Sequence, residues 1–209
     1  MLANVVGTLS TGGRRARLRR RRAGPSVAPA RPTDKVGDPG GPPTCYEGSV
    51  EIQVVIEIPK GTRNKYERDP ETGAIWLDRM LFTATRYPED YGFIQQTLAE
   101  DGDPLDAMVM LEEPTFPGCH IHARPIGVFL MSDEEGQDAK VLCVPSTDPR
   151  VQEVLELDGI PGHELEEIAH FFAIYKQLEP GKKTRIDGWA DRKQAESIID
   201  AARLRYLSA

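Results

Sequence analysis

Three carboxylates fall within six residues at Asp101-Gly102-Asp103-Pro104-Leu105-Asp106, and no Lys or Arg lies between Arg86 and Arg124 to neutralise them locally. Like charges about 4 Å apart repel by about 1 kcal/mol in bulk water and by more in a partly desolvated cleft. A hard divalent cation with oxygen ligands is the economical partner for such a cluster. Gly102 lets the chain turn sharply, while Pro104 fixes its own φ and biases Asp103 away from the helical region, so the acids are aimed. The competing plain reading is a solvated acidic loop. An EF-hand is rejected: Asp101, Asp103 and Glu112 fit positions 1, 3 and 12, but Leu105 and Asp106 take the places that want a ligand and a glycine, and Met108 to Leu111 read as a buried strand.

A second acidic stretch, Asp133-Glu134-Glu135-Gly136-Gln137-Asp138, is followed by Lys140 at the start of a strand. If both stretches lie on one rim, Asp101, Asp103, Asp106, Asp133 and Asp138 share a pocket whose carboxylate density suits two or more Mg²⁺ ions. Lys65, Arg79, Lys140 and Lys176, with Tyr91 and Tyr175, add cations and phenols. Interleaved with acids, they suggest an anionic substrate bound through metal, and phosphate is the natural one, since Arg offers a fork and Lys a point charge. Taken singly, each basic residue is an ordinary surface group. The histidines at 120, 122, 163 and 170 receive no catalytic role.

Composition narrows the class. Residues 1 to 48 carry 9 Lys/Arg and 3 Asp/Glu, leaving 17 and 30 for residues 49 to 209, so the head is +6 and the body −13. An acidic body argues against general nucleic-acid binding. The cysteines Cys45, Cys119 and Cys143 lack metal-type spacing and read as reduced thiols. No apolar run reaches the roughly 18 residues needed to span a bilayer. Residues 1–47, Arg-rich and then Pro/Gly-rich, read as a disordered basic extension: a functionless upstream stretch first, a transit peptide or basic arm otherwise. The folded domain is expected over 48–209.

The elements that must position these residues follow from periodicity. Val50, Ile52, Val54, Ile56 and Ile58 alternate as in a half-buried strand ended by Pro59, with Glu57 on the opposite face. A hairpin is expected through Lys65-Tyr66-Glu67 and Ala74 to Arg79, across the turn Asp69 to Gly73. Tyr91 to Ile94 and Ala107 to Leu111 flank the first acidic stretch, and His120 to Met131 pairs with Ala139 to Pro145 across a turn from Ser132 to Asp138. Leu165, Ile168, Phe172 and Tyr175 form one helical stripe closed by Glu179-Pro180-Gly181. A short strand through Ile186 and Trp189 precedes a helix opened by Asp191 and Gln194. Many short strands followed by helices predict an α+β fold, a small closed barrel with C-terminal helices packed outside it.

From about Val50 to Leu207 the sequence resembles the bacterial type of family I soluble inorganic pyrophosphatase. The likeness rests on the D-x-D-P-x-D stretch at 101–106, Ile56-Glu57-Ile58-Pro59, Lys65-Tyr66-Glu67, Asp78-Arg79, Tyr87-Pro88 with Asp90-Tyr91-Gly92, Asp133-Glu134 with Asp138-Ala139-Lys140, and His170-Phe171-Phe172 with Tyr175-Lys176. It implies an OB-like five-stranded barrel, several Mg²⁺ ions per site, hydrolysis of inorganic diphosphate to two phosphates by a metal-activated water, and a cytoplasmic homo-oligomer, commonly a hexamer, with no nucleic-acid or membrane partner. It implies Glu57, Glu67, Asp101, Asp106, Asp133 and Asp138 as metal ligands, Asp103 or Asp138 as acceptor of the water proton, and Lys65, Arg79, Tyr91, Lys140, Tyr175 and Lys176 as the phosphate grip. The pattern breaks at Ile174, where many bacterial relatives carry a histidine linked to subunit contacts, and the basic head inherits no role. Other readings are a nucleotide or other phosphoanhydride hydrolase on a related barrel, an OB-like oligonucleotide binder, which the −13 body disfavours, and an inactive scaffold.

Overall fold

A computed structural model describes residues 50–134 and 136–209. The basic extension and Cys45 lie outside the described residues, as does Glu135. Eight strands precede or alternate with two helices: β1 (Ile52–Ile58), β2 (Asn64–Arg68), β3 (Ile75–Met80), β4 (Asp90–Ile94), β5 (Asp106–Val109), β6 (His120–Asp133), β7 (Gly136–Pro145), α1 (Gly162–Ile174), β8 (Arg185–Asp191) and α2 (Arg192–Ser208). Six strands form one sheet in the order β1-β4-β5-β7-β6-β8, and a further pairing of β6 with β1 returns the hydrogen bonding to its start. β2 and β3 form a separate two-stranded sheet.

The period-2 pattern sorts side chains into two cores, because successive residues of a strand point to opposite faces. Ala107 and Val109 of β5, with Val141 and Cys143 of β7, join one cluster that also takes Ala195, Ile199 and Ala202 of α2. Their neighbours Met108, Leu142 and Val144 join the other, which takes Ile168, Phe171 and Phe172 of α1. The helix stripe expected from the sequence therefore covers the face that bears Asp138 and Lys140. α2 starts where a cap was expected: the Asp191 carboxylate accepts a hydrogen bond from the Gln194 N–H at 2.9 Å.

β1 and β4 approach unusually closely at Gly92. A Cβ built there would lie 1.9 Å from the Val55 carbonyl oxygen, so only glycine fits between the two strands.

The second acidic stretch differs from the expected turn. β6 runs to Asp133 and β7 begins at Gly136, with Asp133 paired to Gly136 and Met131 to Asp138. Asp133 and Asp138 are therefore strand residues held by the ladder. Apolar alternation stops at Met131, which made the polar end of the hairpin look like loop, but backbone pairing does not require apolar side chains. β5 also ends sooner than expected, at Val109 instead of Leu111.

Candidate active site

Parallel pairing builds the centre of the site. β5 and β7 run in the same direction with Asp106 opposite Lys140, so both strands begin at the same edge of the sheet. Asp138 lies two residues before Lys140 and shares its face. The Lys140 ammonium donates to Asp106 Oδ2 at 2.8 Å, to Asp138 Oδ1 at 2.6 Å and to the Tyr91 hydroxyl at 2.9 Å. Tyr91 in turn donates to Asp106. Lys140 is 2% exposed and sits 5.3 Å from the ring centres of both Tyr91 and Phe172. The cation missing from the local sequence around Asp106 is thus supplied from 34 residues further along.

Further walls come from other elements. Lys176, just past the end of α1, donates to Asp133 Oδ2 at 2.7 Å. On the β2–β3 hairpin Lys65 pairs with Glu67 and, at 3.5 Å, with Asp78, which also accepts from Arg79. The hairpin is tied to β1 by the Arg68 N–H, which donates to Glu57 Oε1 at 2.8 Å. Asp101 is anchored differently, accepting the Asp103 N–H at 3.0 Å across Gly102, whose φ of +97° is the turn that a glycine permits.

All of these side chains line a single cavity of about 540 Å³: Glu57, Lys65, Glu67, Arg79, Tyr91, Asp101, Asp103, Asp106, Asp133, Asp138, Lys140, Tyr175 and Lys176. Asp78, Arg68, Tyr87 and Lys182 also line it; Asp78 and Tyr87 stand in recognised motifs but have no site role in the sequence reading, which does not single out Arg68 and Lys182. Sequence reasoning leaves out the site role of Glu179 as well, whose carboxylate grips Arg79. Asp78 had a signal, since it adjoins Arg79. Glu179 had none, because Glu-Pro-Gly reads simply as a turn.

The electrostatics are those of crowded acids shared among lysines. Burial pushes the Glu57 carboxyl up to about 7; the Arg68 N–H bond opposes the rise and the Asp106 carboxylate adds to it. Burial alone would lower Lys140, but Asp106 and Asp138 outweigh it and hold the ammonium above its ordinary value. Tyr91 is held well above the usual phenol range, first by burial and then by the carboxylates of Asp106 and Asp138. Lys176 is likewise raised despite its burial, by Tyr175 and Asp133.

Among the described residues no three His, Cys, Asp or Glu side chains gather into a metal-holding group; here Asp106 and Asp138 converge on Lys140, and Asp133 on Lys176. The donor set nevertheless suits hard cations. Its acids offer carboxylate oxygen only, and eight carboxylates face six Lys and Arg side chains around the cavity.

Comparison with known proteins agrees with this arrangement. The family model for inorganic pyrophosphatase matches residues 54–207. An inorganic pyrophosphatase of Streptomyces coelicolor is 57% identical over 157 residues, 75% of this chain and 96% of that relative. One from Methanosarcina acetivorans is 52% identical over 154 residues, 74% of this chain and 91% of that relative. Among solved structures, the Thermus thermophilus inorganic pyrophosphatase superposes with a TM-score of 0.73 at 45% identity, covering 82% of this chain and 95% of its own. The Helicobacter pylori enzyme gives 0.74 at 40%, covering 75% and 94%. A family match over most of the folded sequence, together with relatives at more than half identity along nearly their whole length, means that this chain belongs to the inorganic pyrophosphatase family, of the soluble family I, bacterial type.

Proposed function

We propose that this chain hydrolyses inorganic diphosphate to two phosphates with the help of Mg²⁺. The observation that carries the reading is the convergence of carboxylates, lysines, arginines and tyrosines from six separated segments on one cavity, in a chain of this family. Glu57, Glu67, Asp101, Asp106, Asp133 and Asp138 would hold the metal. Bound there, Mg²⁺ supplies a water of lowered pKa and offsets phosphate charge.

The chain's own groups do the rest. Lys65, Arg79, Lys140 and Lys176 bind and orient the two phosphoryl groups and stabilise the charge that grows on the leaving phosphate. Tyr91 and Tyr175, kept protonated by burial, offer neutral hydrogen-bond donors. Asp103 accepts the proton of the attacking water. Asp138 is the second reading for that role. Its engagement by Lys140 at 2.6 Å favours a holding part instead.

Around this core, residues 48–209 form the catalytic domain, the hydrogen-bonded circuit of strands is an OB-like barrel, and the protein works as a cytoplasmic homo-oligomer, a hexamer by family resemblance. The return of β6 to β1 supports the barrel. No described helix is long and apolar enough to cross a membrane. Half-buried Ile174, at the end of α1, offers an apolar contact where many relatives have histidine.

Phosphate release with Mg²⁺ from pyrophosphate, compared with nucleoside triphosphates, tests the reading. A clear preference for pyrophosphate is expected; a preference for triphosphates would overturn it. A chain of residues 48–209 is expected to keep the activity, and a sedimentation mass of six subunits to be found for the whole protein.

A further inference from the structure

Arg79 is held from two sides. Glu179 accepts from its Nε at 3.0 Å and from its Nη2 at 2.8 Å, and Asp78, its neighbour in β3, accepts from Nη1. A guanidinium carries five N–H groups in one plane. With both Glu179 oxygens on the Nε–Nη2 edge and Asp78 on one N–H of Nη1, one N–H of Nη1 and one of Nη2 are left over. The Glu179 side chain is 7% exposed and the Arg79 side chain 23%.

Glu179 also joins two parts of the site that the sheet does not join. β2 and β3 pair only with each other in a two-stranded sheet of their own. The hairpin carries Lys65, Glu67, Asp78 and Arg79 into the cavity, whereas Tyr175, Lys176 and Lys182 enter it from the segment after α1. Glu179 is fixed within that segment: its N–H donates to the Lys176 carbonyl at 2.9 Å, and its carbonyl accepts the Lys182 N–H at 3.3 Å. The ion pair to Arg79 thus spans 100 residues of chain and crosses from one wall to the other.

We infer that Glu179 is a positioning residue for the reaction. It occupies the side edge of Arg79, so that the N–H groups left on Nη1 and Nη2 are the ones presented to phosphate oxygens, and it sets the separation between the hairpin and Lys176. A bidentate Arg–carboxylate pair specifies orientation as well as distance, which a lysine or a single hydrogen bond would not. This inference rests on the diphosphatase reading.

The test is a double-mutant cycle on the full-length protein, with Glu179→Gln, Arg79→Gln and both together. The readouts are kcat and KM for pyrophosphate with Mg²⁺ and calorimetric binding of inorganic phosphate. Glu179→Gln is expected to raise KM about tenfold and weaken phosphate binding by a similar factor, with kcat falling less than about threefold. Glu179→Asp, which keeps the charge, should hold KM within about threefold of the unaltered chain, and Glu179→Ala, which also removes the carboxylate, takes the place of Glu179→Gln in the cycle if that variant does not fold. In the Arg79→Gln background the Glu179 change should move KM less than about twofold, since nothing remains to be positioned. Equal factors in both backgrounds would overturn the inference. So would tighter phosphate binding by Glu179→Gln, which would make the carboxylate a competitor for Arg79. Inactivity of the unaltered protein on pyrophosphate would overturn the functional reading itself, whereas an active protein with additive variants overturns only the role of Glu179.

Discussion

Asp106 and Glu112 are both acids near the first signature, yet their surroundings assign them opposite weight. Asp106 accepts from Lys140 and Tyr91 inside the cavity, whereas the Glu112 side chain is 69% exposed and pairs with Arg150, itself 66% exposed. Asp106→Asn is expected to lower kcat at least about 100-fold by removing a charge from the proposed metal-holding set. Glu112→Gln should stay within about twofold, because exposed ion pairs contribute little. Steady-state assays of the two variants decide it, and comparable losses would undo the assignment.

Glu89 supports a prediction on stability. It is buried beside Lys60 at 3.6 Å, and burial pushes its carboxyl up to about 7, with Lys60 opposing the rise. A carboxyl raised on folding binds protons more tightly in the folded state. Its contribution is therefore fully present below the unfolded value of 4.5 and is lost as pH rises through about 7. Glu89→Gln is expected to be more stable than the unaltered protein at pH 8, by on the order of 2–3 kcal/mol at most. The difference should shrink towards zero near pH 4.5, where the native carboxyl is also protonated. Urea titrations across that range would show it.

At the level of elements, α2 depends on its cap and β4 on a missing side chain. Asp191→Ala removes the acceptor for the Gln194 N–H. It should cost about 1 kcal/mol, a fall of roughly 2–4 °C in Tm for a chain of this size, with KM unchanged. Gly92→Ala is expected to be far worse: the Val55 carbonyl lies where the methyl would go, and backbone cannot yield as a flexible side chain can. Failure to accumulate as folded protein is the expected outcome, read by circular dichroism; a stable, active Gly92→Ala would show that β1 and β4 can part. On its other side β4 pairs with β5, which brings the Tyr91 hydroxyl, one residue back, to Asp106.

For the molecule as a whole, the charge balance of the cavity makes metal and stability one question. Eight carboxylates against six basic side chains leave the site acidic before substrate arrives, so a cation that binds the folded state alone must stabilise it. Saturating Mg²⁺ is expected to raise Tm by several degrees, and a chelator to abolish both the shift and the activity. Asp106→Asn should lose most of the shift, measured from a metal-free Tm that is itself lowered because buried Lys140 keeps only Asp138 as a counter-charge. An equal Mg²⁺ shift in that variant would place the cations elsewhere.

Much of this protein was legible from residue order. Strand alternation in β1, the hairpin of β2 and β3, the apolar stripe of α1 and the Asp191 cap are local or short-period features, and each side chain's face follows from its own neighbours in sequence. The chemical character of the site was legible too, since acids and cations in these motifs are recognisable before any fold is known. What tertiary structure decided was pairing across distance. That Lys140 lies between Asp106 and Asp138 depends on the parallel register of β5 and β7. That Asp133 and Asp138 are strand residues depends on backbone hydrogen bonds that any side chain permits. That Glu179 meets Arg79 depends on a strand and a turn 100 residues apart packing together. No local pattern encodes such meetings, because they are set by how whole elements dock and only then by the residues that happen to face each other.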